Sequence, residues 1–423
     1  MKNIIQRILP LFLIAIGFVV VVNAQSTAGL VAYYPFENDL KDATGNTGNQ
    51  GTSFGVIDYG CGVEGEALIL TGGASYAQIE GMANVNQEFD TEDFSISFYF
   101  KPTGISGQQY LLSKRDTSCV NNVGQNFHEH DFFIKYVPAS KTINVQLAEI
   151  QAKTLSISTV VRNTACWQHL VLVREDNRLK LYLNGEYAGE DAKATRADIS
   201  NTGFLTIGDA ICKSTNETPF SGYIDELRIY NRALDKREAE ALYAKPDQIV
   251  NADTLLFLGG AVNIELTNTC ASSFSWIPNS TDISSSTDPT PTITPMEAGA
   301  FVYTLSLADG ATGCVATDSI KINVVDPTTL ECEKAFLPTA FTPNGDGLND
   351  AFGISNPFAL QKLVSFEIYD RWGNQIFQTT NVFDKWDGDY KGQPLNPGVV
   401  MYKVTHVCNN VEYIESGTVT IVR

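Results

Sequence analysis

An all-β chain built from several sandwich domains is what this sequence predicts, and three features predict it. Short stretches of alternating apolar and polar residues recur along its 423 residues. Glycine, proline, asparagine and aspartate punctuate the gaps between them, and only one segment carries a convincing helix start. Leu179, Leu181 and Leu183 take one face of such a stretch while Lys180 and Tyr182 take the other, and Asn184-Gly185 follows as a two-residue hairpin turn. Phe94 to Phe100 and His169 to Val173 repeat the pattern. The helix starts at Asp235, which caps it while Glu238 completes a capping box, and it is expected to run to about Ala244.

At roughly 100 to 200 residues per domain the chain exceeds one domain, and three are expected. Residues 1–24 stand outside them: Lys2 and Arg7 precede an apolar run from Ile8 to Val22, and Val22-Asn23-Ala24 supplies a small-residue cleavage site before Gln25. That is the layout of a secretory signal peptide, and no later run is long enough to span a membrane. A net charge of −19 with a pI near 4.6 argues against nucleic acid as a partner, because phosphate neutralisation needs clustered Lys and Arg. The eight cysteines show no C-x-x-C pair or zinc-finger spacing, so in an exported protein they read as disulfides. Pairing within domains is expected: Cys270 with Cys314, Cys332 with Cys408, and Cys61, Cys119, Cys166 and Cys212 among themselves in one of three connectivities.

Residues 25–245 resemble the laminin-G-like (concanavalin A-like) jelly roll. The matching segments are Gly29 to Phe36 with Asp42 to Asn46, Gly65 to Leu68, Asp93 to Phe98, Trp167 to His169, Leu181 to Gly185, Ile207-Gly208 and Phe220 to Leu234. The resemblance implies a β-sandwich whose concave face and loop rim bind glycans or proteins, often beside calcium. Asp42, Asn46 and Asp225 sit where such relatives hold the ion, and calcium wants several oxygen ligands. A structural calcium ion is the reading taken here; the alternative is that Asp42 to Asn46 form an Asx-type turn and that Asp225 is a hairpin residue.

Three further runs could carry chemistry. Glu88, Asp90 and Glu92 have the E-x-D-x-E spacing by which laminarinase-like members of this fold place their carboxylates on one strand face. They precede the strand Phe94 to Phe100, without the aromatic-rich cleft sequence of such enzymes, and read as a solvated acidic loop. His128 and His130 could ligate a metal but lack a third ligand at motif spacing. His169, two residues after Trp167, reads as a packed structural residue. Tyr76, Tyr110, Phe127 and Tyr187 are the rings available for sugar stacking.

Residues 246–326 turn rich in Ser, Thr and Pro. Phe274 to Trp276, Phe301 to Leu307 and Ile320 to Val325 alternate as strands, and the segment resembles an immunoglobulin-like or PKD-like spacer. Residues 327–423 carry the most specific run. Pro343, Asn344, Gly345, Asp346, Gly347, Asn349 and Asp350 read as a double turn, followed by Arg371, Trp372 and Gly373, then by Trp386, Asp387 and Gly388. Together they resemble the gliding-motility-associated C-terminal domain, the type B sorting signal of type IX secretion. Asp370, Ser416 and Val400 stand where that family usually has Asn, Lys and Tyr. The resemblance implies type IX machinery as a partner and export across the outer membrane, with the protein released or held on the surface. Taken together, the residues describe a non-enzymatic binding head on a spacer and a sorting domain. The alternatives are a glycosidase of the same fold and a purely structural surface protein.

Overall fold

The computed structural model describes residues 27–80, 92–115, 129–344 and 349–422. The expected leader, Glu88, Asp90, Cys119, Phe127, His128 and the turn residues Gly345 to Gly347 lie outside them.

The chain is all-β. Its first part is a sandwich of two sheets. The first sheet runs Glu186–Ala192, Arg178–Leu183, Gln168–Glu175, Phe94–Pro102, Ser221–Tyr230, Glu66–Thr71, Ile57–Cys61, with Leu30–Tyr34 paired to Ser221–Tyr230. The second runs Lys153–Val160, Thr142–Ile150, Asp131–Val137, Gln108–Lys114, Leu205–Ile207, Tyr76–Ile79, Gly51–Phe54, with Glu217–Pro219 added in parallel to Gln108–Lys114. Alternation sets what lies between them. Phe94, Ile96, Phe98 and Phe100 meet Phe132, Ile134, Val145, Leu170 and Leu172 in one core. The Asn184-Gly185 turn has φ of 52° and 75°, the left-handed pair that a two-residue hairpin needs.

The central strand Phe94–Pro102 is buried along its whole length, on both faces. Its second face is a rail of polar attachments. Ser95 Oγ donates to Arg232 O at 2.9 Å and accepts from Leu234 N at 2.9 Å. Ser97 Oγ meets His169 Nε2 at 2.8 Å, and Tyr99 Oη donates to Leu242 O at 3.0 Å. These bonds seat the helix Lys236–Ala241 against Val171, Val173 and Tyr230. The helix has the expected capping box of Asp235 and Glu238 but stops at Ala241, where Leu242 caps it.

The second part joins a four-stranded sheet, Thr254–Phe257, Cys314–Val325, Gly299–Asp309, Ser273–Ile277, to a two-stranded one, Val262–Asn263 with Thr292–Ile293. Trp276 is the centre of its core and donates Nε1 to Asp288 O at 2.9 Å. The third part is a five-stranded sheet, Ala340–Phe341, Val411–Ile421, Gly398–Cys408, Lys362–Tyr369, Gln375–Thr379, over Phe341, Phe352, Phe366 and Trp386.

The disulfides correct one expectation. Cys332 does pair with Cys408, but Cys270 and Cys314 do not pair with each other: Cys61 bonds Cys270 and Cys166 bonds Cys314. Both bonds tie the first sandwich to the second. The reason is burial: the rail on Phe94–Pro102 ends in Lys101, whose Nζ reaches Asp309 of the second sandwich at 2.9 Å and lies over the rings of Trp167 and Tyr223. Docking that covers Lys101 brings Cys166 beside Cys314, and Asn268 Nδ2 donates to Glu64 Oε2 at 2.6 Å near the other pair. The void left between the two sandwiches is about 10 Å³, room for a single water at most. The second sandwich is therefore locked to the first.

Candidate ligand-binding site

Strand alternation also builds the outward face of the second sheet. In Asp131–Val137 the residues Phe132, Ile134 and Tyr136 enter the core, which turns Asp131, Phe133 and Lys135 outward. In Thr142–Ile150 the core takes Ile143, Val145 and Leu147, which leaves Gln146 on that same outward face. A hollow of about 390 Å³ opens there, walled by the segment Ser214 to Glu217.

Its charged groups are matched in pairs. Arg115 grips Asp131 in a fork, Nε to Oδ1 at 2.7 Å and Nη2 to Oδ2 at 3.1 Å, and both residues are buried. Lys135 Nζ pairs with Glu217 Oε1, while Glu217 Oε2 accepts from Ser214 N at 2.8 Å. The two cations lie over the rings beneath: Lys135 is 4.0 Å from the Phe133 centroid and 4.6 Å from that of Tyr110, and Arg115 is 5.0 Å from Tyr110. Burial alone would raise the Glu217 carboxyl, but the bonds from Lys135 and Ser214 outweigh it and hold the group down to about 2. Burial pulls Lys135 below its ordinary value despite Glu217. Burial also holds the Tyr110 phenol above its range.

A carboxyl depressed on folding contributes stability above its unfolded value, near 4.3, and loses it as pH falls through the folded one. The difference in melting temperature between the wild type and Glu217→Gln should therefore stay constant above about pH 4 and shrink as pH falls toward about 2. Thermal scans across that range check it.

Each of the residues expected round calcium has partners of its own in the fold. Asp42 spends Oδ1 on the N–H groups of Tyr33 and Thr44 and Oδ2 on Asn49 Nδ2, between 2.9 and 3.0 Å. Asn46 caps a short 3-10 turn through Gly48 N. Asp225 accepts from Val63 N at 2.7 Å and Glu226 N at 2.8 Å. Burial and then the Glu226 carboxylate push it up to about 8, so it is a structural anchor. Among the described residues no three carboxylate, imidazole or thiol groups lie close enough to hold a metal. As held here, all three serve the fold through the N–H groups they accept from.

The other runs are placed as follows. Glu92 gives its carbonyl to Arg174 Nε at 2.9 Å. His130 sits at a left-handed φ of 48° with Nδ1 3.0 Å from Asp198 O. His169 is packed, as read, and burial pulls its pKa down to about 3, so it stays neutral. Of the candidate rings, Tyr110 is fully buried under its cations, Tyr76 stacks on Phe54 at 4.8 Å, and Tyr187 is half-exposed against Tyr182. A second hollow, about 490 Å³, lies where Pro102 to Ile105 meet Ala311 and Thr312, and no charged residue lines it.

At the far end of the chain, Asp370 organises the turn after Lys362–Tyr369. Its Oδ1 accepts from Trp372 N at 2.8 Å and Asn374 N at 2.9 Å, and Gly373 supplies φ of 82°. The turn holds Trp372 out, 82% exposed, while Trp386 is buried and donates to Asp389 O at 2.7 Å.

Residues 71–240 match the family model of the Concanavalin A-like lectin/glucanases superfamily, and residues 335–421 match that of the CHU_C Type IX secretion signal domain. The chain joins a concanavalin A-like domain to a type IX secretion signal domain. The signal domain implies export to the cell surface or beyond, and engagement of the type IX machinery. The two matched domains indicate a role in binding or secretion.

No curated protein matches the chain. Among solved structures, domain 4 of an extracellular GH43 arabinanase from Geobacillus stearothermophilus, in complex with arabinotriose, is 23% identical. That match covers 51% of this chain and 98% of that one with a TM-score of 0.40. The CBM40 of a Ruminococcus gnavus IT-sialidase bound to α2,3-sialyllactose is 17% identical over 42% of this chain and 96% of its own, TM-score 0.36. A botulinum neurotoxin type C structure, described by its interaction with two ganglioside molecules, is 11% identical over 93% and 92%, TM-score 0.44. Likeness at this level decides no ligand. The chemistry of the concanavalin A-like domain must be read from its own residues.

Arg115, Asp131, Lys135, Gln146 and Glu217 were not singled out from sequence. The one local signal was Asp131-Phe-Phe-Ile-Lys135, where charges alternate with core residues. Arg115 and Glu217 carry none, since only the fold brings them together.

Proposed function

We propose that this is an exported surface protein whose concanavalin A-like domain captures a glycan in the hollow on its second sheet. Residues 1–24 serve as the Sec leader, and residues 331–423 direct type IX export. The observation that carries the reading is the convergence of two buried ion pairs and the Gln108, Gln146 and Asn216 amides on one hollow of about 390 Å³. Planar, fixed donors and acceptors of this kind suit vicinal hydroxyls, and the pairing keeps them rigid before the ligand arrives.

The test uses the full chain from Gln25, because the head alone would lose both inter-sandwich disulfide partners. Binding to a panel of oligosaccharides is measured by calorimetry, with calcium and with chelator, beside Gln146→Ala and Lys135→Met. Saccharide binding weakened by both substitutions supports the reading. Binding that ignores both substitutions, or no saccharide binding at all, overturns it. For export, deleting residues 331–423 removes Cys332 and Cys408 together and leaves every other described disulfide intact. The truncated protein should collect in the periplasm, and its continued appearance outside the cell would sink the sorting role.

A further inference from the structure

We infer that the hollow selects uncharged, hydroxyl-rich saccharides and rejects sugars bearing a carboxylate or sulfate; this rests on the proposed reading of the hollow as a glycan site. The inference follows from charge matching. The lining holds two cations, Arg115 and Lys135, and two carboxylates, Asp131 and Glu217, so its formal charge is zero. Each cation is already committed. Arg115 spends Nε and Nη2 on Asp131 and places Nη1 3.3 Å from Ile211 O. Lys135 is held by Glu217. The nearest other cations on the same elements are engaged elsewhere, Lys114 with Asn201 at 2.6 and 2.9 Å and Lys213 with Asp209.

An incoming anion would have to evict Asp131 or Glu217 from its partner, or lie beside them unpaired where burial weakens screening. A neutral hydroxyl meets neither obstacle. It finds amides that donate and accept, on Gln108, Gln146 and Asn216. The rings give no alternative means of selection, since Lys135 and Arg115 lie over Tyr110 and Phe133. Recognition then rests on hydrogen bonds.

The experiment compares neutral arabino-, galacto-, gluco- and manno-oligosaccharides with oligogalacturonides and sialyllactose, on the full chain and two variants. Glu217→Gln keeps the shape but frees the charge of Lys135. Asn216→Lys adds a cation at an exposed lining position and exchanges one recognition amide for a charge; the backbone carbonyl that accepts from Gln108 N at 2.9 Å is kept, so the variant remains informative if the first is unstable. The wild type should bind a neutral ligand and favour it over acidic ones by roughly tenfold or more, and each variant should gain roughly tenfold for the acidic panel. Acidic ligands bound as well as or better than neutral ones by the wild type, or no gain in either variant, overturn the charge rule while leaving the glycan site standing. Binding of neither panel by any of the three proteins overturns the site itself, and this inference with it.

Discussion

Replacing Asp309 by alanine should cost the full chain about 3–5 kcal/mol, the penalty of leaving a buried charge without its partner. The charge left behind is Lys101, whose side chain is 2% exposed and whose Nζ makes its ion pair only with Asp309 among the described residues. The Trp167 and Tyr223 rings, at 4.9 and 4.6 Å, soften the loss without replacing a carboxylate. The reverse deletion is milder. With Lys101→Met, Asp309 still accepts from Ala311 N at 2.9 Å and Thr312 Oγ1 at 2.7 Å, and the methionine fills the vacated volume. A buried pair replaced on both sides by apolar groups is often neutral, so Lys101→Met with Asp309→Leu should recover most of the loss. Urea unfolding of the four proteins reads the order directly. If Asp309→Ala cost no more than Lys101→Met, the account of Lys101 as a cation dependent on the second sandwich would be wrong.

How far this could be read beforehand depends on range. The β-sandwich, the Asn184-Gly185 turn, the capping box of Asp235 and Glu238, and the packed His169 are all set by neighbours in sequence, and periodicity or turn chemistry exposes them. The helix ended early because Leu242 and Ala244 are committed to Tyr99 Oη, a partner 145 residues away from Ala244. The cysteine pairing failed for the same reason. Counting cysteines per domain assumes that domains touch lightly, whereas the outward face of Phe94–Pro102 carries the helix segment along most of its length and meets the neighbouring sandwich at Lys101. Ser95, Ser97, Tyr99 and Lys101 look like the solvated side of an edge strand, and only the two-sided burial of that strand shows otherwise. In the hollow, Asp131 and Lys135 share one strand face, but their partners arrive from 16 and 82 residues away.

Removing both inter-sandwich disulfides should be the most damaging change in the chain. Cys61–Cys270 spans 209 residues and Cys166–Cys314 spans 148, and loops this long give about 5 kcal/mol each in the chain-entropy model. The two loops interleave, so whichever bond forms first shortens the other's path. The double loss should then fall below the sum of the single ones. The quadruple Cys→Ala protein should unfold in two steps, first sandwich and second sandwich apart, where the oxidised wild type unfolds both in one. X-ray scattering should show a broader, hinged particle. The contrast with Asp309→Ala is informative, because that change strains the same junction with the cross-links intact and should leave a single transition. A quadruple variant that melts and scatters like the wild type would mean that noncovalent docking alone sets the junction. In that case the buried Lys101–Asp309 pair, with the tightly filled gap around it, would have to hold the second sandwich in place unaided.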